Sequence, residues 1–434
     1  MKLNLRNFGS ALLCLIAASV PGVSWAQAAK FTLLKTVSVG ELNQVLDAER
    51  TTFRVNEGQS AGPGYRLPPA PKAANAVDIY RVAYETTVPE QGNKRVLVSG
   101  MMALPRLADR SKIPLISYQH GTVYHKYGVP SYAFDATSPL PYDHKLESFE
   151  DRYMVALFGG NGYGVIAADY VGFGVDSKNN EAYMIKGVTS QASVDLYHDA
   201  RNYLASQKIY PSNLFLAGWS QGAHNTSAVL QKLESQGVKV RAAFAAANPS
   251  DAFAPLNAVF FHPQPTDSEW FPLMIGQLAF SCEEFFGPKG LAKNTLNPEY
   301  YKDLSTIYRR SYDSPEFLEG ALNAWETVPK VMFIKEELRD PATFAASGFG
   351  RCLAANEAFR QEIKTKMRMY YGTDDQIVRE RIGRLGSDYQ LVLKGAPEAP
   401  GQGNVMAIPI QGGTHRLTFL SGSVDAKAWM DGMR

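Results

Sequence analysis

The sequence predicts an α/β protein built on an open, mostly parallel sheet, and three observations support this. Short apolar stretches alternate with helical patterns over residues 76–251, as in successive parallel strand–helix units. The segment "LFLAGWSQGAHNTS" (residues 214–227) changes from strand to helix at a serine flanked by glycines. The alternation stops at residues 252–359 and resumes in "MRMYYGTDDQIV" and "NVMAIPIQGGTH", which divides the pattern into two parts.

The elements follow in order along the chain. Residues 27–75 become rich in Ala, Gly and Pro ("SAGPGYRLPPAPKAANA") and are expected to form a leader that wraps the domain. Strands are then predicted in "DIYRVAYETTV", "RVLVSGMMALP", "IPLISYQHGT" and "YGVIAADY", and a helix in "SQASVDLYHDARNYLASQ". "VRAAFAAANPSD" predicts a further buried strand. We therefore assign residues 76–251 and 360–434 to the core and the aromatic-rich residues 252–359 to an insertion.

The N-terminus has the features of a secretory signal peptide. Residues 1–26 combine Lys2 and Arg6 with an apolar run and with small residues that end at Ala26. The run is too short to span a bilayer comfortably, so we expect a cleaved signal and no stable membrane anchor. The predicted product is a secreted or periplasmic protein.

The overall composition is that of an ordinary globular protein, with 45% hydrophobic and 20% charged residues among 434. Cleavage at residue 26 removes two bases and no acid, which leaves 44 − 2 = 42 basic against 42 acidic residues. A neutral chain gives no reason to expect nucleic acid or an anionic membrane surface as a partner.

The cysteines favour a disulfide. Cys14 leaves with the signal peptide, so Cys282 and Cys352 remain as a pair in an oxidising compartment. The alternative is two buried thiols. Because no histidines stand at ligand spacing from them, we expect no metal site.

Ser220 is the candidate nucleophile. An apolar run at residues 214–217 precedes it, and residues 223–234 have apolar positions at helical spacing. Gly218 and Gly222 lack a Cβ that would collide with the neighbouring strand and helix, so the serine can adopt a strained turn and point out of the sheet. This is the G-x-S-x-G nucleophile elbow in its strand–turn–helix context. The alternative is a small residue in a tight turn.

A serine hydroxyl needs an imidazole to accept its proton and a carboxylate to orient that imidazole. Of the seven histidines, His415 follows an apolar strand and a glycine pair in "IQGGTHRL", so it is the predicted base. Asp374 and Asp375 end a strand in "YYGTDDQIV", and one of them is expected to face the site. Asp251, in "NPSD", is a third candidate for the acid.

Two backbone N–H groups are candidate donors to an oxyanion. Gln221 lies at the N-terminus of the helix after Ser220, where the helix dipole also favours negative charge. Thr122 follows a strand in "SYQHGT", and its N–H is the expected second donor. His120, in the same loop, is expected to brace the loop rather than to catalyse.

These motifs together resemble those of α/β-hydrolases, from about residue 77 onward. More narrowly, the chain is similar to the secretory lipase family typified by Candida lipase A, which has bacterial members. The matching segments are "YRVAYETTV…RVLVSGMMALP", "SYQHGT", "NGYGVIAADYVGFG", "GWSQG", "AAANPSD", "YYGTDDQIV" and "GGTHRL". The resemblance implies a mostly parallel sheet with helices on both faces and a largely helical cap inserted at residues 252–359.

The resemblance also selects among the acids. In that family the acid begins a D-x-hydrophobic-Val pattern, which maps to Asp375 in "DQIV" and not to Asp374. The implied triad is therefore Ser220, Asp375 and His415, in the chain order of α/β-hydrolases. The chain departs from the family where "HGT" replaces an oxyanion loop that often carries an acidic residue.

The leading interpretation is a secreted serine hydrolase, a lipase or esterase, that cleaves small-molecule or lipid carboxylic esters without a cofactor. A serine peptidase of the prolyl-oligopeptidase kind is one alternative, although the N-terminal third shows no blade repeats. A non-catalytic binding protein with a hydrolase fold is the other, although all three triad members are present. The aromatic-rich insertion indicates either an apolar acyl or aryl substrate or simply the core of the cap.

Overall fold

A computed structural model describes residues 28–55, 65–135, 148–176, 178–312, 314, 316–393 and 404–434. The predicted signal peptide lies outside these residues. The strands are β1 (Lys30–Val37), β2 (Val77–Val88), β3 (Lys94–Pro105), β4 (Lys112–Gln119), β5 (Gly164–Ala168), β6 (Tyr210–Trp219), β7 (Ala242–Ala246), β8 (Met367–Gly372) and β9 (Val405–Ile410). They form one nine-stranded sheet in the order β1-β2-β3-β5-β4-β6-β7-β8-β9.

The sheet is antiparallel at one end and parallel over the rest. Neighbours in the series β1, β2, β3 and β5 run antiparallel. From β5 through β4, β6, β7, β8 and β9 every neighbouring pair is parallel. The predicted mostly parallel α/β sheet is therefore confirmed. The carboxyl ends of the parallel strands share one edge, where open α/β sheets place their ligands.

Helices cover both faces of the sheet. The helices outside the insertion are α1 (Val39–Val55), α2 (Phe149–Leu157), α3 (Lys186–Ser206), α4 (Gln221–Ser235), α12 (Glu380–Leu393) and α13 (His415–Asp431). Leu214 and Leu216 of β6 belong to the core shared with α3 and α4. Phe215 and Ala217, which alternate with them, belong to the core shared with α1, α2 and α13. A continuous apolar run is needed here because both faces of the strand are buried.

The leader contributes more than a wrapping segment. Within residues 27–75, β1 pairs antiparallel with β2 and extends the sheet at its edge, and α1 follows. Leu42 and Leu46 of α1 are buried in the apolar core shared with α2 and α13. The sequence predicts neither element, because the strand shows no regular alternation and most of its side chains stay exposed or half-buried.

The insertion is helical, as predicted. Between β7 and β8 lie α5 (Phe253–Phe261), α6 (Phe271–Ser281), α7 (Leu291–Thr295), α8 (Pro298–Tyr308), α9 (Glu316–Trp325), α10 (Pro341–Ala346) and α11 (Gly348–Ala355). A disulfide joins Cys282, directly after α6, to Cys352 in α11. Across the described ranges, no helix is long and apolar enough to cross a membrane.

Most aromatic side chains of the insertion pack on one another. Phe280 stacks on Tyr308 with ring centroids 5.3 Å apart, and Trp325 meets Phe333 edge-on at 5.3 Å. Phe344 contacts Phe253, Phe260, Phe261 and Phe349. The aromatic composition is therefore explained largely by the core of the cap.

Candidate active site

Ser220 lies in the turn between β6 and α4. Its backbone angles are φ 57° and ψ −123°, a strained conformation for a residue with a side chain. A Cβ at Gly218 would lie 2.1 Å from the carbonyl oxygen of Gly222, and one at Gly222 would lie 1.9 Å from that of Gln119. Both positions therefore require glycine, and the turn has the geometry that the sequence predicted.

His415 meets the serine hydroxyl. Its Nε2 lies 2.8 Å from Ser220 Oγ. The residue is the first of α13. The indole N–H of Trp219 donates to the His415 carbonyl at 3.1 Å, and the two rings lie 5.0 Å apart. These contacts hold the imidazole over the elbow.

Asp375 completes the chain of polar contacts. Both carboxylate oxygens lie 3.0 Å from His415 Nδ1, and the side chain is fully buried. Oδ1 also accepts the backbone N–H groups of Ile377 at 2.9 Å and Val378 at 2.8 Å. These bonds fix the carboxylate beside Nδ1, and this arrangement favours the tautomer in which Nδ1 carries the proton and Nε2 accepts from the serine.

The other candidate acids lie elsewhere. Asp374 is exposed, and its N–H donates to the Gly413 carbonyl at 3.1 Å. Asp251 accepts the N–H of Ala254 at 2.8 Å, at the start of α5. Burial raises the pKa of Asp251 to about 6. Of the three carboxylates, only that of Asp375 contacts the histidine.

The two candidate oxyanion donors lie on adjoining segments. Gln221 is the first residue of α4, so its N–H has no acceptor within the helix. The tight approach of Gly222 to Gln119 shows that this first turn packs directly on the segment leading to Thr122. The Thr122 hydroxyl pairs with that of Tyr183 at 2.8 Å.

His120 is held by contacts around the loop that carries Thr122. Its ring nitrogens contact the carbonyls of Gly121 at 2.8 Å and Asp169 at 3.3 Å, and the ring stacks on Tyr170 at 4.2 Å. It is therefore engaged within the loop, and the structure does not bring it to Ser220 Oγ, which contacts His415.

The buried carboxyl group of Glu150 also contacts the loop that carries Thr122. Both oxygens of Glu150 accept the Gly121 N–H, at 3.0 and 3.1 Å, and the Tyr118 hydroxyl donates to it. Burial raises the pKa of Glu150 to about 8, although the hydrogen bonds from Tyr118 and Gly121 act in the opposite direction. Burial also raises the pKa of the neighbouring Asp151.

A buried ion pair holds the loop from the cap side. Arg310, just after α8, meets Glu181 at 2.5 Å, and their side chains are 2% and 1% exposed. Arg310 also donates to the Val123 carbonyl at 3.0 Å, and Glu181 accepts from the side chain of Gln221 at 2.8 Å. The pair therefore touches both segments that carry the candidate donors.

A cleft opens at Ser220 and is bounded mostly by apolar side chains. Residues of the core and of the insertion both contribute to it. The lining residues are Tyr183, Met184, Ser220, Gln221, Pro249, Ala252, Pro255, Leu256, Phe271, Met274, Leu278, Ile377 and Val378. Among the residues that the structure describes, no cluster of His, Cys, Asp and Glu could hold a metal ion.

The groups that support the site are not evident from the sequence. Glu150 and Glu181 are acids in otherwise ordinary segments, and Arg310 lies 129 residues from its partner Glu181. No local pattern marks such contacts. Trp219 precedes the serine within the elbow itself, so its closeness to the site could have been expected, but its bond to His415 depends on the fold.

The strand order, the elbow after β6 and the site at the carboxyl edge of the sheet define the α/β-hydrolase fold. No protein-family model matches the sequence, and no curated protein is significantly similar to it. Solved structures, however, match over most of the chain.

A Legionella pneumophila protein to which hydrolase activity is provisionally assigned superposes with a TM-score of 0.73 at 15% identity, over 93% of this chain and 97% of its own. The rice cell wall degrading esterase LipA from Xanthomonas oryzae gives 0.72 at 16% identity, over 93% and 98%. Candida antarctica lipase A in its closed state gives 0.61 at 17% identity, over 93% and 82%. At these identities the likeness shows a shared fold.

Proposed function

We propose that the chain is a serine hydrolase of carboxylic esters. The observation that carries the proposal is the unbroken series of contacts from Ser220 Oγ through His415 to Asp375, at 2.8 and 3.0 Å. The acyl-enzyme mechanism requires a nucleophile, a base and an orienting acid in contact with one another in this way. The esterase and lipase among the structural neighbours point the same way.

The proposed reaction begins when Ser220 Oγ attacks the ester carbonyl carbon and His415 Nε2 takes the hydroxyl proton. The carbonyl oxygen becomes an oxyanion, which accepts hydrogen bonds from the N–H groups of Thr122 and Gln221. Collapse of this intermediate breaks the bond to the alcohol, which receives the proton from His415. Water then attacks the acyl-enzyme with the same base, and the carboxylic acid is released. Asp375 stabilises the imidazolium throughout.

The lining of the cleft supports an apolar acyl group as the substrate portion next to Ser220. Met184, Leu256, Met274 and Leu278 offer flexible aliphatic and thioether surface without charge. Each buried CH₂ of an acyl chain is worth about 0.8 kcal/mol of transfer free energy, so kcat/KM should rise with chain length until the cleft is full.

We further propose that the mature protein is secreted or periplasmic, with residues 1–26 removed. The charge and apolar pattern of the N-terminus supports this, and so does the disulfide between Cys282 and Cys352, because disulfides persist in oxidising compartments.

Ser220→Ala tests the proposal. Hydrolysis of p-nitrophenyl esters of increasing acyl length should fall by about 10³-fold or more in kcat, while the circular dichroism spectrum stays unchanged. Aminoacyl anilides assayed in parallel should be poor substrates. Substantial ester hydrolysis by the folded variant would refute the mechanism, and a preference for the anilides would indicate a peptidase.

A further inference from the structure

The ion pair between Glu181 and Arg310 has an unusual position. Glu181 lies in the loop between β5 and α3, whereas Arg310 belongs to the insertion, and both side chains are almost completely buried. Burying two charges carries a large desolvation cost, and replacement by apolar residues is often neutral or stabilising. Stability alone therefore gives a weak reason for this pair.

Glu181 is connected to the helix that carries the nucleophile. One carboxylate oxygen accepts from Arg310, and the other accepts from Gln221 Nε2 at 2.8 Å. The backbone N–H of Gln221 is one of the two proposed oxyanion donors. The carboxylate thus holds the side chain of the residue whose main chain would stabilise the reacting oxygen.

Arg310 is connected to the other donor. Its Nη2 donates to the carbonyl of Val123, the residue after Thr122, at 3.0 Å. Its Nη1 donates to the Tyr308 carbonyl at 3.2 Å, and the guanidinium lies 4.3 Å from the centre of the Phe173 ring. One planar cation therefore bridges the insertion, Glu181 and the oxyanion loop.

The insertion is tied to Glu181 by two more bonds. The Glu181 carbonyl accepts the hydroxyls of Ser281 at 2.9 Å and Tyr308 at 3.0 Å. The N–H of Tyr183 in turn donates to Ser281 Oγ at 2.9 Å. The insertion therefore packs on the same loop residues that hold the ion pair in place.

We propose that Glu181 and Arg310 are positioning residues that set the distance between the two oxyanion donors. This inference rests on the proposed function. Donors stabilise an oxyanion when they lie about 2.7–3.1 Å from the position that the oxygen will occupy. A small displacement of either segment therefore reduces the stabilisation of the transition state more than it reduces the binding of the ester. The insertion thereby contributes to catalysis through Arg310, as well as lining the cleft.

The test replaces the pair by an apolar pair of similar size, Glu181→Leu with Arg310→Met. Removing both charges together avoids leaving one of them buried and alone. We expect the free energy of unfolding to stay near that of the wild type and kcat to fall by about 10- to 100-fold, below the full loss of one donor. KM should change little.

A thionoester substrate supplies a readout that a purely structural role would not move. Sulfur is a weak hydrogen-bond acceptor, so an oxyanion hole shaped for oxygen should favour the oxo ester over the matching thionoester. In the double variant this oxo-to-thiono ratio of kcat/KM should fall by about 5-fold or more, in line with weakened donor geometry.

Asp267 and Arg379 provide the matched control. They also form an ion pair between the insertion and the core, with contacts of 2.6, 2.7 and 3.0 Å. None of these contacts involves Thr122, Gln221 or their neighbours. Asp267→Leu with Arg379→Met should leave the oxo-to-thiono ratio at the wild-type value.

Gln221→Met is the second test, because it removes the bond to Glu181 and keeps the backbone N–H. It should lower the ratio in the same direction, and it stays informative if the double variant does not fold. Wild-type kcat and an unchanged ratio in the folded variants would overturn the inference. A wild-type protein that hydrolyses no ester would instead overturn the proposed function.

Discussion

At the scale of single residues, the two adjacent aspartates have opposite environments. Asp375 is buried against His415, and Asp374 is exposed one residue earlier. Asp375→Asn keeps the shape of the site but removes the charge that stabilises the imidazolium, so kcat should fall by about 10²- to 10⁴-fold. Asp374→Asn should change kcat by less than about tenfold. Measurement of kcat for both variants on one ester tests which aspartate is the acid. A large loss of kcat in Asp374→Asn would show that the acid is Asp374 and not Asp375.

Glu150 predicts a pH dependence of stability. Its pKa is raised by burial from 4.5 to about 8, so the folded chain keeps a proton that the unfolded chain releases between these values. The unfolded state then binds fewer protons, and the free energy of unfolding falls as the pH rises through this window. Asp151, whose pKa burial also raises, acts in the same direction, while Arg416 opposes the shift of Glu150.

Glu150→Gln should therefore make the decline in stability between pH 5 and pH 9 less steep. Urea unfolding of both proteins at several pH values measures this. Glu316→Gln is the control, because Glu316 is fully exposed and hydrogen bonds lower its pKa, so it is already ionised across this range. Parallel curves for the wild type and Glu150→Gln would contradict the prediction.

At the scale of secondary-structure elements, the elbow depends on close backbone contact between β4, β6 and α4. Gly222→Ala would push a methyl group against the Gln119 carbonyl and should destabilise the protein by about 1–3 kcal/mol or more, with loss of ester hydrolysis. Gly320→Ala in α9 is the matched control, since nothing lies within 4 Å of the added Cβ. It should be neutral or stabilise by up to about 1 kcal/mol. Chemical denaturation measures both, and equal effects would contradict the argument.

The same scale shows why some elements were predictable. The strands β4 to β9 are short apolar runs bounded by turns, and the serine of the elbow stands between two glycines that sterics require. By contrast, β1 is an edge strand whose side chains are mostly half-buried or exposed, so its sequence carries little pattern. The same limit applies to the site. His415 and Asp375 follow strands, whereas Glu150 and Arg310 act through contacts that only the folded chain creates.

At the scale of the whole molecule, the core and the insertion are joined by polar ties as well as apolar packing. Arg310 bonds to Glu181 and Val123, and Asp267 bonds to Arg379, so each tie crosses from the insertion to a loop of the core. The disulfide differs from both, because Cys282 and Cys352 both lie within the insertion and close a loop of 70 residues. The disulfide should stabilise the insertion directly, and it should affect the sheet only through the packing of the insertion on the core.

Reduction of the disulfide should therefore loosen the insertion before the sheet. A cross-link of this kind stabilises mainly by constraining the unfolded chain, and its loss should cost roughly 2–4 kcal/mol. In hydrogen-exchange mass spectrometry, peptides from residues 252–359 should lose protection in the reduced protein, while those from β4 and β6 should keep it. Cys282→Ser with Cys352→Ser should reproduce the effect without reductant. Because α6 lines the cleft with Met274 and Leu278, hydrolysis of long-chain esters should suffer more than that of acetate. A uniform loss of protection, or two titratable thiols in freshly exported protein, would show that the bridge does not have this role.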